Sequence, residues 1–165
     1  MEKESLVPSP HSLVGVPASP RRIRRMDIRE LRTDEEIRDS FPLLSSLRDR
    51  IRAETFLREV RRQQIEGYRL FGGFAGGRLV CLAGVRRSHT LARGEHLFVD
   101  DLVTLEEARG KGHGAEMLRW LAGRSRAEGI ERIYLDSRAT AKGFYEKQGY
   151  TMMTSIPCWR GTSGD

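Results

Sequence analysis

Residues 99–118 constrain the fold of this chain more strongly than any other stretch. They read VDDLVTLEEARGKGHGAEML, which is a β-branched apolar run, a short charged loop, three alternating glycines and a helix-forming stretch. Glycines between a strand and a helix let several backbone N–H groups converge at the helix start, where the helix dipole favours negative charge. The segment therefore predicts a strand, an anion-binding loop and a helix in direct succession.

The residue types of this loop suit a pyrophosphate group. Backbone N–H groups reach a phosphate only where no Cβ intervenes, and Gly110, Gly112 and Gly114 have none. Arg109 and Lys111 would add positive charge beside the phosphates. Neither G-x-G-x-x-G nor G-x-x-x-x-G-K-[ST] is present, and an ordinary glycine-rich turn would look similar. The loop alone therefore predicts an anion site without naming the ligand.

A second motif, FYEKQGY, occupies residues 144–150 and follows another predicted strand. It resembles the F-Y-E-K-x-G-[FY] signature of the Gcn5-related N-acetyltransferases, the GNAT family. The spacing Arg109-x-x-Gly112-x-Gly114 resembles the acyl-CoA pyrophosphate loop of the same family. The two motifs stand in the family's order, and the resemblance covers about residues 27–157. The chain is accordingly identified as similar to acetyl-CoA-dependent N-acetyltransferases.

The resemblance implies a set of residues that bind acetyl-CoA. In this family two parallel strands splay apart and the cofactor fills the gap, so the backbone N–H of Leu102 or Val103 would polarise the thioester carbonyl. The positions that the resemblance assigns to the cofactor are Leu102, Val103, Thr104, Arg109, Gly110, Lys111, Gly112, His113, Gly114 and Ala115. His113 stands where the family usually has an apolar residue, and we interpret it as a packing residue or a phosphate-side contact.

Acetyl transfer from a thioester to an amine makes three chemical demands. The amine must lose a proton before it attacks, the tetrahedral oxyanion needs an N–H donor, and the leaving thiolate is helped by an acid. Tyr145 matches the family tyrosine that protonates the leaving thiolate. A tyrosine packed in a small C-terminal core would have the same sequence pattern.

Asp100 and Asp101 are consecutive acids in an apolar strand. Strand alternation predicts that they point to opposite faces, and a buried carboxylate needs a partner or a function. The pair resembles the acidic pair of spermidine/spermine-type acetyltransferases. We expect Asp100 to act as a base or water holder and Asp101 as a substrate-side or structural acid, with Asp136 as a third candidate. For Asp100 and Asp101 the alternative is a salt bridge to one of the many arginines.

Periodicity and turn residues divide the chain into ten elements. Strands are predicted at 27–31, 68–75, 78–87, 96–104, 130–136 and 150–159, and helices at 34–47, 53–66, 112–127 and 139–148. Thr33 and Glu36 fit a capping box at the first helix, and Gly76-Gly77 fits a hairpin turn. The order β-α-α-β-β-β-α-β-α-β predicts an α+β fold with a mixed, mostly antiparallel sheet flanked by helices. The resemblance implies the same order, that of the GNAT acyl-CoA N-acyltransferase fold.

Charge and composition separate a tail from a single domain. Residues 1–25 are rich in Pro and Ser, and their five basic and two acidic residues hold half of the net charge of +6. We expect this basic tail to be disordered and residues 26–165 to form one N-acetyltransferase domain. Because the domain mixes both signs and lacks a basic patch with interleaved aromatic residues, nucleic acid is not an expected partner.

The sequence favours a cytoplasmic protein without membrane or metal. No apolar run approaches the roughly 18 residues of a membrane helix, and Pro, Gly and Ser interrupt the apolar residues near the N-terminus. Cys81 is predicted to be core packing and Cys158 a partly exposed thiol. These cysteines and the four scattered histidines have no metal-ligand spacing, so we expect no metal site.

The acceptor is predicted to be a primary amine of a small molecule. The resemblance implies that residues 34–75 and 86–96 build the acceptor pocket, and this part of the chain carries Arg48, Arg50, Arg52, Arg58, Arg61 and Arg62. If several of these arginines face the cleft, a carboxylated amine such as an amino acid is favoured over a polyamine. If they face water, that argument lapses.

Two other functions remain open at this point. One is a protein N-terminal or lysine acetyltransferase, which needs an open groove. The other is a non-catalytic acyl-CoA-binding regulatory domain, against which the retained Tyr145 and Asp100 speak. The resemblance also makes a homodimer through C-terminal strands a possible assembly.

Overall fold

The computed structural model describes residues 25–154, 158 and 160, so the predicted tail lies outside the described residues except for the exposed Arg25. The strands are β1 (Asp27–Glu30), β2 (Tyr68–Ala75), β3 (Arg78–Thr90), β4 (Gly94–Thr104) and β5 (Ile133–Leu135). They form one sheet in the order β1-β2-β3-β4-β5, antiparallel except for the parallel pair of β4 and β5. The predicted mostly antiparallel sheet is confirmed.

Helices cover both faces of this sheet and confirm the α+β class. They are α1 (Asp34–Asp39), α2 (Phe41–Ser45), α3 (Ala53–Ile65), α4 (His113–Ala127) and α5 (Lys142–Lys147). Short 3-10 turns at Glu106–Ala108 and Ala139–Ala141 precede α4 and α5.

Two buried cores lie on opposite faces of the sheet. On one face, Ile37 of α1 and Phe56 of α3 belong to a cluster with Leu82 of β3. On the other face, Met117 of α4 belongs to a cluster with Val85 of β3. The central strands β3 and β4 supply residues to both cores, so they fix the helices on the two sides relative to each other.

The single helix predicted at 34–47 is wrong, because this segment forms two short helices. Its capping box is confirmed, because the Thr33 side chain accepts from the Glu36 N–H and the Glu36 carboxylate accepts from the Thr33 N–H. The helix then stops at Asp39, and α2 restarts with Pro42 in its first turn. Proline has no N–H for the carbonyl four residues earlier and is tolerated only in a first turn, so the chain forms two short helices.

The C-terminal elements are shorter than predicted. The strand expected at 130–136 is reduced to Ile133–Leu135, and the helix expected at 139–148 begins as a 3-10 turn. The strand expected at 150–159 is absent from residues 150–154, 158 and 160, and the other positions of that prediction lie outside the described residues. Met152 and Met153 line a groove together with Leu135 of β5 but form no backbone ladder with it.

Both cysteines lie where the sequence predicts. Cys81 is fully buried in the core beneath α4, and this burial raises the pKa of its thiol to about 11, while Cys158 is exposed. Within residues 25–154, no helix has the length and apolar character needed to cross a bilayer. The same part of the chain contains no cluster of three or more His, Cys, Asp or Glu side chains able to hold a metal ion.

Replacing Glu36 by Ala tests the capping box. The N–H groups of Arg32 and Thr33, together with the Arg29 guanidinium, lower the pKa of Glu36 from 4.5 to about 2. We expect Glu36→Ala to reduce the free energy of unfolding by about 1 kcal/mol at pH 7. Because the folded-state pKa lies below the unfolded one, the difference from wild type is full above pH 4.5 and shrinks as the pH falls toward 2.

The matched control is Glu35→Ala, because Glu35 is exposed in the same first turn and takes no part in the cap. Urea unfolding of both variants at several pH values measures the difference. Equal losses of stability in the two variants would contradict the capping role.

Candidate functional site

The parallel strands β4 and β5 separate directly after Val99. Their pairing covers Leu97–Val99 of β4 and Ile133–Leu135 of β5, and β4 then continues alongside β3 alone. The Leu105 N–H donates to the Val80 carbonyl of β3 at 2.8 Å. Hydrogen-bonded pairs alternate along an antiparallel ladder, so the Val103 N–H faces β3, whereas those of Leu102 and Thr104 face the gap. The sequence predicts the N–H of Leu102 or of Val103 as the oxyanion donor. The register with β3 favours Leu102, and the prediction of Val103 is wrong because its N–H faces β3.

A glycine loop joins the end of β4 to α4. Gly110 and Gly112 have φ of +73° and +85°, in the left-handed region that glycine favours, and Gly112 is the N-cap of α4. A Cβ on Gly114 would lie 3.3 Å from the Phe144 ring, so here glycine serves the packing of α5 against α4. The loop thus presents bare backbone at the start of a 15-residue helix.

The charged side chains of the loop fold back onto its own backbone. The Arg109 Nε donates to the Thr104 carbonyl at 3.3 Å, and the Lys111 Nζ donates to the Glu107 carbonyl at 2.9 Å. Both side chains are exposed, so their positive charge stays beside the helix start. Their predicted contact with phosphates stays a prediction, as does that of Ala115.

His113 is the first residue of α4 and is only 8% exposed. Among the described residues, its Nδ1 is the buried side-chain nitrogen or oxygen that lacks a hydrogen-bond partner. Its burial is compatible with the packing role that the sequence predicts. The alternative role, a contact on the phosphate side, stays a prediction.

Strand β4 carries a bulge at Asp100, which makes one sequence prediction wrong. Val85 of β3 pairs with Val99 while its neighbour Gly84 pairs with Asp101, so Asp100 is an extra residue on β4. The two carboxylates therefore share the face covered by α1, α2 and α3, and do not point to opposite faces.

The partners of the two acids demonstrate this shared face. Asp100 accepts from the Nε and Nη2 of Arg86, both at 2.7 Å. Asp101 accepts from the Tyr68 hydroxyl at 2.8 Å. Tyr68 and Arg86 are directly opposed on β2 and β3, so their side chains lie on one face. The salt bridge considered as an alternative for each acid is present.

Arg48, in the segment between α2 and α3, binds both residues of the bulge. Its Nε donates to the Asp101 carboxylate at 2.7 Å and its Nη2 to the Asp100 carbonyl at 2.5 Å. Burial, and then the Asp101 charge, raise the pKa of Tyr68 well above its usual value, so the Tyr68 hydroxyl stays a donor. Asp101 is thereby held by two donors in a site where its side chain is only 10% exposed.

These residues line one pocket of about 660 Å³, which we call the charged pocket. Its apolar wall is Leu44, Ile51, Phe56 and Val60, and its polar wall is Arg48, Asp49, Arg50, Gln63, Glu66, Tyr68, Arg86, Asp100 and Asp101. Of the six arginines counted in the sequence, Arg48 and Arg50 line this pocket. Arg61 instead binds Asp34, and Arg58 binds Glu59.

Sequence reasoning missed Arg86 and Tyr68. Arg86 follows a run of buried apolar residues in β3, and a charge at such a position was a signal that it faces a partner. Tyr68 carried no comparable signal, because its role depends on a contact with Asp101 across two strands.

Tyr145 lies on α5 and is 9% exposed. Its ring packs edge-on against those of Phe144 and Tyr150, and burial raises the pKa of its hydroxyl. Phe144 in turn packs near Gly114, which brings α5 to the glycine loop.

The structure does not bring Asp136 into the charged pocket. Asp136 lines a separate groove of about 760 Å³ along β5, together with Ser137, Tyr150 and Met153. Two residues after Asp136, Arg138 donates through its Nη2 to the Leu47 carbonyl at 3.0 Å. The segment after β5 is thus tied to the loop that carries Arg48.

Known proteins resemble this chain along most of its length. The sequence model of the Acetyltransferase (GNAT) family matches residues 28–150. The uncharacterized N-acetyltransferase YhdJ of Bacillus subtilis (strain 168) is 32% identical over 130 residues, which cover 76% of this chain and 92% of that protein.

Solved structures share the fold at lower identity. A transcriptional regulator from Bacillus halodurans C-125 has a TM-score of 0.72 at 21% identity, covering 82% of this chain and 99% of its own. The aminoglycoside N-acetyltransferase AAC(6')-Iy, in complex with CoA, has a TM-score of 0.72 at 15% identity, covering 89% and 99%. At these identities the likeness is one of fold alone.

Replacing Gly84 by Ala tests the packing of Tyr68 on Asp101. A Cβ at Gly84 would lie 1.9 Å from the Tyr68 hydroxyl, so the ring must move and Asp101 loses a donor. We expect a loss of about 1–3 kcal/mol in the free energy of unfolding. The control is Gly123→Ala in α4, where nothing lies within 4 Å, and it is expected to gain up to about 1 kcal/mol. Chemical denaturation that gives equal changes for both variants would refute the crowding at Gly84.

Proposed function

Because this chain belongs to the GNAT family and is an acetyl-CoA-dependent N-acetyltransferase, we propose that its acceptor is the primary amine of a small molecule. The observation that carries the proposal is the charged pocket. Its volume of about 660 Å³ suits a small molecule, and Asp100 on its wall comes directly after the last pair between β4 and β5. An amine in this pocket would lie beside the gap in which the family holds its thioester.

Acetyl-CoA, when bound, supplies the acetyl group as an activated thioester. The fit of this chain to that group is supported by its own backbone, since the left-handed Gly110 and Gly112 bare their N–H groups at the start of α4. We assign residues 109–115 to the pyrophosphate and the gap-facing strand positions 102 and 104 to the arm that ends in the thioester.

Three groups of the chain are assigned to the chemistry. The Leu102 N–H donates to the developing oxyanion, and Tyr145 gives a proton to the departing thiolate. Burial raises the pKa of Tyr145, which keeps the hydroxyl protonated at neutral pH, as an acid must be. Asp100 takes the proton of the amine, directly or through water. Asp100 is preferred to Asp101 because its side chain is 21% exposed against 10%.

Two alternatives are tested by one assay. Thiol release from acetyl-CoA is followed with polyamines, amino acids, aminoglycosides and short peptides as acceptors. Turnover of peptides alone would favour a protein N-terminal or lysine acetyltransferase. Binding of acetyl-CoA without turnover on any acceptor would favour a regulatory domain. Turnover on a small amine supports the proposal. The cytoplasmic location and the homodimer are separate predictions that this assay does not address.

Replacing Tyr145 by Phe removes the proposed acid and little else. We expect kcat to fall about a hundredfold, since a positioned general acid contributes on this scale, while acetyl-CoA binding is unchanged. Tyr134→Phe is the control, because Tyr134 lies on β5 and lines the other groove. Steady-state kinetics measure both variants, and an unaltered kcat for Tyr145→Phe would remove Tyr145 from the mechanism.

Replacing Gly112 by Ala tests the loop independently of turnover. Alanine at a φ of +85° is strained by about 1–2 kcal/mol, so the loop backbone has to move. We expect weaker acetyl-CoA binding by about tenfold, measured by titration calorimetry. Gly129→Ala is matched in strain, with φ of +76° and nothing within 4 Å, but it lies at the far end of α4. It should lower stability equally and leave acetyl-CoA binding intact, and equal affinities in both variants would contradict the assignment.

A further inference from the structure

The charges of the charged pocket occur as pairs of opposite sign. Arg86 holds both oxygens of Asp100, and Arg48 holds one oxygen of Asp101. Neither guanidinium is saturated, because each engages its Nε and one terminal amino group in these contacts and keeps the other amino group as a donor. Cationic donors and carboxylates are therefore available side by side on one wall.

Such a wall favours a ligand that carries both signs of charge. A carboxylate of the ligand can accept from the remaining donors of Arg48 or Arg86, while its ammonium group meets the adjacent Asp100 carboxylate. A ligand with ammonium groups alone draws Asp100 from Arg86 and leaves that guanidinium without its partner. Because Arg86 is 43% exposed, losing its partner costs little, so the preference for a zwitterion comes from the charged hydrogen bonds that the ligand carboxylate adds to the guanidinium.

The opposite wall of the pocket is hydrocarbon. Leu44, Phe56 and Val60 are 2–5% exposed and belong to the core beneath α2 and α3. Together with the half-buried Ile51 they line the pocket with hydrocarbon, against which an apolar side chain of the ligand can pack. The pocket therefore has one dipolar wall and one apolar wall.

We propose that the acceptor is an α-amino acid with an apolar side chain. Its amine lies toward Asp100, where β4 and β5 part, its carboxylate binds Arg86 and Arg48, and its side chain lies on the apolar wall. This inference rests on the acetyltransferase function proposed above. Asp100 takes one proton from the bound ammonium group, and the freed amine nitrogen forms the new bond to the acetyl carbon as the thioester C–S bond breaks. The thiolate takes a proton from Tyr145, and the second nitrogen proton restores the Tyr145 hydroxyl, directly or through water.

The test uses acceptor trios that differ only in the carboxylate. They are leucine, leucinamide and 3-methylbutylamine, and phenylalanine, phenylalaninamide and 2-phenylethylamine, with spermidine as a polycation. Thiol release from acetyl-CoA is measured with the full chain, and kcat/KM is compared over a range of pH because the amines differ in pKa. We expect kcat/KM of the amino acid to exceed that of its amide and amine by about ten- to a hundredfold, the value of charged hydrogen bonds.

A variant pair locates the carboxylate. Arg86→Gln should reduce the preference for the amino acid over its amide to less than about threefold, while Arg58→Gln should keep it. Arg58 is exposed on α3, where it pairs with Glu59 outside the charged pocket, so it controls for the loss of a charge. An unchanged preference in Arg86→Gln would overturn the placement on Arg86.

The outcomes separate this inference from the function on which it rests. If an amide, an amine or spermidine is acetylated as well as or better than every amino acid, the zwitterion class is wrong and the acetyltransferase function stands. If no acceptor of any class is acetylated, both fall.

Discussion

The bulge at Asp100 is the constraint on which the candidate site depends. Before it, odd-numbered residues of β4 such as Val99 face the core beneath α4. After it, the alternation is shifted by one residue, and Asp101 and Val103 face the core beneath α1–α3. Because the same strand also loses its parallel neighbour after Val99, the shift occurs where backbone amides become free. The extra residue thus places the acidic wall beside the open edge of the strand.

Several other residues are explained by this single shift. A carboxylate turned into the core beneath α1–α3 requires donors, and Asp101 receives one from Tyr68 and one from Arg48. The tyrosine hydroxyl reaches Asp101 across β3 only because Gly84 leaves room for its ring. Arg48 also reaches the Asp100 carbonyl, so the loop between α2 and α3 is fastened to the bulge itself. A polar network therefore connects three strands with that loop.

The parts of the fold that sequence predicts are those decided by neighbouring residues. The capping box at Thr33, the Gly76-Gly77 hairpin and the glycine loop before α4 each depend on a few consecutive positions, and each is present. The break at Pro42 was equally local, and it could have been predicted from that proline alone. The resemblance to a family supplied the cofactor and the tyrosine, which no local pattern could name.

The parts that sequence misses depend on long-range pairing. Alternation along β4 is an average rule, and whether a residue is bulged depends on the register with β3. The partners of the two acids come from positions 14, 33 and 53 residues away in the chain, so no spacing rule connects them. Likewise Leu102 and Val103 could be told apart only once the ladder with β3 was known.

The two acids differ in the cost of losing a partner, and this difference supports the roles proposed for them. Asp101 is buried with both oxygens engaged by Tyr68 and Arg48, and leaving a buried acceptor without one of its donors costs about 1–3 kcal/mol. Asp100 is more exposed and, among the described residues, its carboxylate is held by Arg86, whose side chain is 43% exposed, and such pairs contribute about 0–1 kcal/mol. Asp100 can therefore exchange its partner for a ligand while Asp101 keeps the wall in place. Proton transfer needs a carboxylate that can release its partner, as Asp100 can, beside the free amides. A fixed pocket needs a firmly held carboxylate, such as Asp101, behind it.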